Sequence, residues 1–233
     1  MNRIAIIGAS HAGVSCAEKL RQFGFNGSIT LIDRLPGLPV QRPPLSKKFI
    51  QCESIELDLF YLRSKEYYEQ ENIKLITGTD VISIDGHSKT IYFENGKKLN
   101  YDIVILAMGA YANLPDFVSS QANNIHVLRD VQDALKLRST ALKSAKAVIV
   151  GGGFIGLEVA SSMRMAGLSV DIVEFAPRLL CRVASPQISE YFNSLHIKNG
   201  VKKVIVSAPC KNADKTVVFG VNEKDLTKNI RKF

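Results

Sequence analysis

The stretch Ala147–Ala160, AVIVGGGFIGLEVA, constrains the fold more than any other part of the chain. An apolar run, Ala147 to Val150, reads as a fully buried strand. Gly151, Gly153 and Gly156 then form G-x-G-x-x-G, and a helical pattern continues to Gly167, the residue type that most readily ends a helix. A second apolar run, Ser169 to Phe175, carries Glu174 near its end, eighteen residues beyond Gly156. Strand, glycine turn, helix, strand and acid in this order predict a β-α-β unit that holds a dinucleotide. Gly151 allows the tight turn, Gly153 lets the backbone approach a pyrophosphate, and Gly156 packs the helix against the strand. The helix N-terminus offers N–H groups to the phosphates, and an acid ~20 residues on takes the ribose. Phe154 and Ile155 lie inside the motif and count with its glycines as cofactor contacts, as does Glu174.

The same plan occurs at the N-terminus. The apolar strand RIAII leads into Gly8, Ser10 and Gly13 at the three glycine positions, with His11 and Ala12 between them. Ser10 departs from glycine where backbone should meet phosphate, but it is small enough to be tolerated. His11 is expected to stand at a helix start beside phosphate rather than to act as a catalytic base. The helix Val14–Phe23 and the strand Ser28–Ile32 follow, ending at Asp33, twenty residues after Gly13. Two such units predict an α/β fold with two Rossmann-like dinucleotide-binding domains, one for a tight cofactor and one for an exchanging nucleotide.

Between the units, Arg34–Ile50 contains Pro36, Pro39, Pro43 and Pro44. Each fixes φ and removes a backbone donor. The segment is predicted to be a stiff arm ending in a helix capped by Ser46, with Arg42 and Lys47 held in defined places. Ile55–Glu71 reads as helical, Lys74–Ile84 as a pair of strands, and Asn95-Gly96 as a hairpin turn. Tyr101–Ala107 reads as a buried strand, Leu114-Pro115 as the crossing between domains, and Val127–Leu142 as a helix begun by Asp130, with Val131, Ala134, Leu135 and Leu137 inward.

Three strings, GASHAGVSCAEKLRQFGF, QRPPLSK and GGGFIGLEVA, together resemble the FAD-dependent, NADH-using ferredoxin reductases of the putidaredoxin and rhodocoxin reductase type, in the pyridine nucleotide-disulfide oxidoreductase superfamily. The resemblance covers about residues 1–200, and RPPLSK is its most diagnostic part. It implies an FAD-binding domain over 1–113 and an NAD-binding domain over 114–200. It implies hydride transfer from NADH to FAD, then electrons passed to a small iron–sulfur protein of the ferredoxin or rubredoxin class. By resemblance Lys47 lies beside the reactive end of the flavin, where a cation stabilises the charge of the reduced ring, and Arg42 lies near the same cofactor. Val81 meets the adenine through its backbone, and the turn at Gly109 approaches the cofactor. Glu158 has two readings, a residue near the nicotinamide and flavin rings or an ordinary helix glutamate; with Lys47 it makes the catalytic pair. Leu35 replaces the family's acid, which leaves the adenosine ribose to Asp33, and Val40 and Met108 replace its Tyr and Thr. Glu174, with no Arg directly after it, favours NADH over NADPH, whose 2′-phosphate it repels. Arg178 is the nearby cation that argues the other way.

The net charge of +8 is unevenly placed: nine Lys/Arg against three Asp/Glu from His196 onward, and 21 against 19 before it. A near-neutral body and a tail without a basic, aromatic-lined groove argue against nucleic acid as a partner. No apolar run reaches the ~18–20 residues of a membrane helix. Four scattered cysteines, Cys16, Cys52, Cys181 and Cys210, form no metal or redox spacing and point to reduced thiols in the cytoplasm. Residues 201–233 read as a foreign basic tail: GVKKVIVSAPCKNADKTVVFGVNEKDL is similar to a glyceraldehyde-3-phosphate dehydrogenase segment without its cysteine motif, and KVIVSA and TVVFGV have the pattern of a β hairpin. The Gly-Asp motif of the family's returning FAD segment does not occur. The expected activity is therefore an impaired FAD-dependent oxidoreductase, with an inactive nucleotide-binding remnant or an NADH-binding module without turnover as the alternatives. The oligomeric state stays open.

Overall fold

Two parallel sheets, each built around a glycine turn, organise the chain. The computed structural model describes residues 2–51, 54–114 and 124–206, the last four as backbone only. In chain order the elements are β1 (Arg3–Ile7), α1 (His11–Gln22), β2 (Ser28–Asp33), α2 (Lys48–Gln51), α3 (Lys65–Gln70), β3 (Ile73–Thr77), β4 (Val81–Asp85), β5 (Thr90–Phe93), β6 (Lys98–Asn100) and β7 (Ile103–Leu106). Then come α4 (Val131–Ala141), β8 (Lys146–Val150), α5 (Phe154–Met165), β9 (Ser169–Glu174), α6 (Pro186–Lys198) and β10 (Lys203–Val206). They fall into two units, Met1–Arg42 with Ile55–Asn113, and Pro43–Ser54 with Leu114–Phe233.

The first unit holds a four-stranded parallel sheet in the order β3-β2-β1-β7. Its central strands are rich in β-branched residues and buried on both faces. Ile4, Ile6, Ile29 and Leu31 pack against Val14 and Ala17 of α1 and Tyr68 of α3. Ala5, Ile7 and Ile32 face the other way, onto Ile91, Phe93 and Tyr101. Those last residues come from or border the antiparallel sheet β4-β5-β6, with its turn at Asn95-Gly96. Gly96 takes a left-handed φ of 78°, and the loop between β5 and β6 has four residues rather than two.

Several expectations change here. Ile55–Glu71 is not one helix: a 3-10 turn at Leu57–Phe60 is followed by α3, which Ser64 caps by accepting from the Tyr67 N–H. The strands within Lys74–Ile84 do not pair with each other, because β3 joins the parallel sheet and β4 the antiparallel one. β7 is not fully buried: it is the last strand of its sheet among the described residues, and Ile103 and Leu106 are exposed.

The second unit has a three-stranded parallel sheet in the order β10-β9-β8. Its core joins Leu157, Ala160 and Met163 of α5 to Val170 and Ile172 of β9. β8 is the last strand of its sheet among the described residues, and the run Ala147–Val150 is covered on one face: Ala147 and Ile149 pack on the core, while Val148 and Val150 are exposed. Asp130 starts α4 with a reciprocal capping box to Asp133, and Val131 and Ala134 are buried while Leu135 is exposed. The strand KVIV adds to β9 in parallel, and the second strand of its expected hairpin is not among the described residues. Pro115, Cys52, Cys210 and the segment TVVFGV lie outside the described residues. The sequence reading passed over α6, although Ser185 caps it and Pro186 opens it, a common start signal.

His196 near the end of α6 is buried, and burial holds its pKa below the ordinary value. The unfolded chain therefore takes up this proton at higher pH than the folded one. The stability involved is complete above the unfolded value of ~6.5 and declines as the pH falls below it. Thermal unfolding between pH 8 and 5 is expected to show that decline, and His196→Phe to flatten it.

Candidate functional site

The two glycine turns have one geometry. Gly8 and Gly151 both lie at φ 108°, a region that favours glycine, and their N–H groups donate to Ile32 and Val173 at 2.7 Å. A Cβ on Gly13 would stand 1.9 Å from the Gly8 carbonyl oxygen, and one on Gly156 2.0 Å from that of Gly151. No side chain fits either place. A carboxylate closes each turn. Asp33 accepts from the Ala9 N–H at 2.7 Å and the Leu35 N–H at 2.9 Å. Glu174 accepts from the Gly152 N–H at 2.5 Å and the Ala176 N–H at 2.6 Å. Leu35, where the resemblance has an acid, thus contributes its backbone to Asp33. The unequal spacings of twenty and eighteen residues arise in the helix–strand connections, which are longer after α1 than after α5.

These residues fit a pyrophosphate. Ser10 and Gly153 are the N-caps of α1 and α5, and neither side chain caps its helix. The first helical bonds run from Val14 to Ser10 and from Leu157 to Gly153. The N–H groups of residues 11–13 and 154–156 therefore precede them, as at any helix start, where an anion is favoured. A Cβ at Gly153 would meet nothing within 4 Å, so the turn is open there. His11 and Ala12, and likewise Phe154 and Ile155, are exposed on the first turns. The sequence reading missed Gly152, where a Cβ would lie 2.3 Å from Leu179. Leu180 reinforces that contact by donating to the Gly152 carbonyl at 2.9 Å.

In the first unit, the backbone after β7 crosses the first turn: a Cβ on Gly8 would come within 2.2 Å of the Ala107 carbonyl oxygen. This brings the loop of Gly109, itself at φ 70°, beside the turn. Arg34 lies 4.8 Å from the Tyr111 ring in the same unit. Val81 opens β4 and packs on the Ile91–Phe93 cluster. Arg42 ends the first stretch of this unit, whereas Lys47 belongs to the second.

Lys47 and Glu158 meet. The Lys47 Nζ donates to Glu158 Oε2 at 2.8 Å and to the Pro43 carbonyl at 3.2 Å. The Ser46 hydroxyl donates to the same Oε2 at 2.5 Å. Ser46 is therefore no helix cap: it ends a 3-10 turn, Pro43–Ser46, and its hydroxyl serves a carboxylate, a stronger acceptor than a neutral group. Burial pushes the Glu158 carboxyl up, but the Lys47 and Ser46 hydrogen bonds and the Lys47 charge outweigh it, and the net shift is downward. With Lys47 48% and Glu158 32% exposed, the pair is a half-solvated site with a defined geometry and adds little to stability. Glu158 is thus not a solitary helix glutamate.

Arg178 is committed elsewhere. Its guanidinium donates to the Ala184 carbonyl at 2.7 Å, Ser189 Oγ at 2.6 Å and the Cys181 carbonyl at 3.1 Å. It ties the loop after β9 to α6. The residue directly after Glu174 is the exposed Phe175. Among the described residues no group of three or more His, Cys, Asp or Glu gathers as metal ligands, and no helix is long and apolar enough to cross a membrane.

Two parallel sheets, each with a glycine turn closed by a strand-end carboxylate, define a protein with two Rossmann-like dinucleotide folds. Residues 2–228 match the pyridine nucleotide-disulphide oxidoreductase family, and the chain belongs to it. It is 37% identical over 198 residues to a rhodocoxin reductase of Rhodococcus erythropolis, covering 85% of this chain and 46% of that protein. It is 40% identical over 183 residues to a rubredoxin-NAD(+) reductase of Pseudomonas putida, covering 78% and 47%. The solved covalent putidaredoxin reductase–putidaredoxin complex superposes with a TM-score of 0.83 at 31% identity, over 92% of this chain and 52% of that one. The chain thus spans about half the length of the relatives it matches.

Gly156→Ala tests the helix–strand contact. Its new methyl has no room beside the Gly151 carbonyl. Overpacking of this kind costs about 1–3 kcal/mol. The variant is expected to melt several degrees lower; an unchanged melting curve would refute the role of that contact.

Proposed function

We propose that the chain binds FAD through its first unit and NADH through its second. Hydride passes from NADH to FAD, and electrons then pass singly to a small iron–sulfur protein of the ferredoxin or rubredoxin class. The observation that carries this reading is the repeated turn: Asp33 on Ala9 and Glu174 on Gly152 close two equivalent sites in one chain. The names of the relatives support the choice of cofactors and acceptor: a rubredoxin-NAD(+) reductase, and a putidaredoxin reductase solved with putidaredoxin. The scattered cysteines support a cytoplasmic setting.

Bound flavin supplies the conversion of one two-electron step into two one-electron steps. The chain's own groups bind and orient. The N–H groups at the starts of α1 and α5 take the phosphates. Asp33 and Glu174, already fixed by two backbone donors each, keep lone pairs for a ribose hydroxyl. Lys47 holds an ammonium whose direction Glu158 and the Pro43 carbonyl set. No nucleophile is required of the protein.

Selectivity for NADH follows from Glu174, and the engagement of Arg178 removes the cation that argued for NADPH. A 2′-phosphate brought beside Glu174 meets a like charge. Replacing Glu174 by Ser and Phe175 by Arg together is expected to shift the NADH/NADPH affinity ratio at least ~10-fold toward NADPH, the scale of one lost and one gained charged hydrogen bond. Ligand-dependent melting measures it.

The visible spectrum of the purified chain tests the whole reading. Retained flavin absorption that NADH bleaches supports it. A folded, colourless chain that NADH still stabilises against heat would overturn it in favour of an NADH-binding module without turnover.

A further inference from the structure

The Lys47–Glu158 pair is held from behind. Ser162 stands one helical turn beyond Glu158 on α5, on the same face, and is 1% exposed. Its hydroxyl donates to the carbonyl oxygen of Ser46 at 2.8 Å. The Gln51 side-chain amide in turn donates to Ser162 Oγ at 3.0 Å. A serine hydroxyl has one proton. With Gln51 donating to its oxygen, that proton is left for the Ser46 carbonyl, and the two bonds fix one orientation. Ser46 is itself buried, so its carbonyl needs a partner inside the protein. Ser46 and Lys47 then converge on a single oxygen, Glu158 Oε2.

We propose that Ser162, oriented by Gln51, is the positioning residue of the Lys47–Glu158 pair: it anchors the backbone at Ser46 so that the Ser46 hydroxyl and the Lys47 ammonium both reach Glu158. A lysine side chain on an unfixed root loses much of an ion pair to rotamer entropy. Glu158 supplies the acceptor from α5, and Ser162, four residues on, supplies the donor that sets the height of the Pro43–Gln51 segment on the same helix. Ser162 touches no reacting atom in this arrangement. The inference deepens the proposed function and rests on its reading of Lys47 as an ammonium directed by Glu158.

Carboxyl-detected NMR titration of Glu158 in the full chain tests it, with no cofactor required. In the native chain the Glu158 midpoint is expected below that in Lys47→Gln. Ser162→Ala is expected to raise it most of the way to the Lys47→Gln value, a several-fold change in the acid constant. Ser162→Thr keeps the hydroxyl and should keep the native midpoint, as should Ser161→Ala at the exposed neighbouring position. Gln51→Ala should give a smaller rise. A Ser162→Ala protein that melts lower but titrates at the native midpoint would overturn the proposal by reducing Ser162 to a packing residue. Should Ser162→Ala fail to fold, Gln51→Ala decides: a raised midpoint supports the proposal, and a native one refutes it. A chain that proves colourless overturns the proposed function while leaving this titration intact, so the two failures are distinguishable.

Discussion

A carboxylate at the end of a strand, hydrogen-bonded to the backbone of a glycine turn, is the interaction on which both units depend. The turn must point its N–H groups outward if they are to meet an anion, which leaves little backbone bonding to hold it. The strand-end acid supplies the hold from outside. Asp33 and Glu174 each use one oxygen on the turn and the other on the loop that follows the strand. Strand end, turn and loop are thereby joined at one side chain. In the proposed function the same joint presents the acceptor for a ribose hydroxyl, so that one side chain serves both the fold and the site.

Much of this was legible because the constraints are backbone constraints. Glycine at positions 8, 13, 151 and 156 is required by φ or by a carbonyl about 2 Å from any Cβ, and such requirements reach the sequence undiluted. The second unit reads more clearly than the first because Gly153 is present there and Ser10 is not a glycine. Ser10 nevertheless caps nothing with its side chain, and α1 begins directly after it, at His11, three residues before the sequence pattern suggested. The conformation at the cap decides, and serine adopts it as readily as glycine.

What was not legible concerns which face of an element is covered. Ala147–Val150 and Ile103–Ala107 are apolar throughout, the signature of strands packed on both sides. Among the described residues β8 and β7 are the end strands of their sheets, and Val148, Val150, Ile103 and Leu106 are exposed. Apolar periodicity reports what a strand tolerates, and sheet order decides what it meets. The helical reading of Ile55–Glu71 failed for a related reason. Its crowded apolar residues satisfy a helix pattern, but Phe60 and Tyr68 are buried from two short elements, with Ser64 capping the second. Gly152 escaped notice because its need for hydrogen comes from Leu179, which is distant in sequence.

The segment around Lys47 shows the limit most sharply. The string RPPLSK marks its residues as chemically important, and its prolines mark it as stiff, yet nothing local says where it will lie. It interrupts the first unit in sequence and packs with the second, with Ile50 in the same apolar cluster as Leu157 and Ala160. Only that placement brings Lys47 to Glu158 and turns Ser46 from an expected cap into a donor to the same carboxylate. An ammonium and a carboxylate exposed to water would hold each other weakly. Here the backbone that carries the cation is bonded to the helix that carries the anion, through a buried hydroxyl four residues along. The geometry of the pair is therefore a property of the helix–segment contact and not of the ion pair itself. That is why a motif search finds Lys47 and Glu158 while leaving Ser162 and Gln51 unmarked.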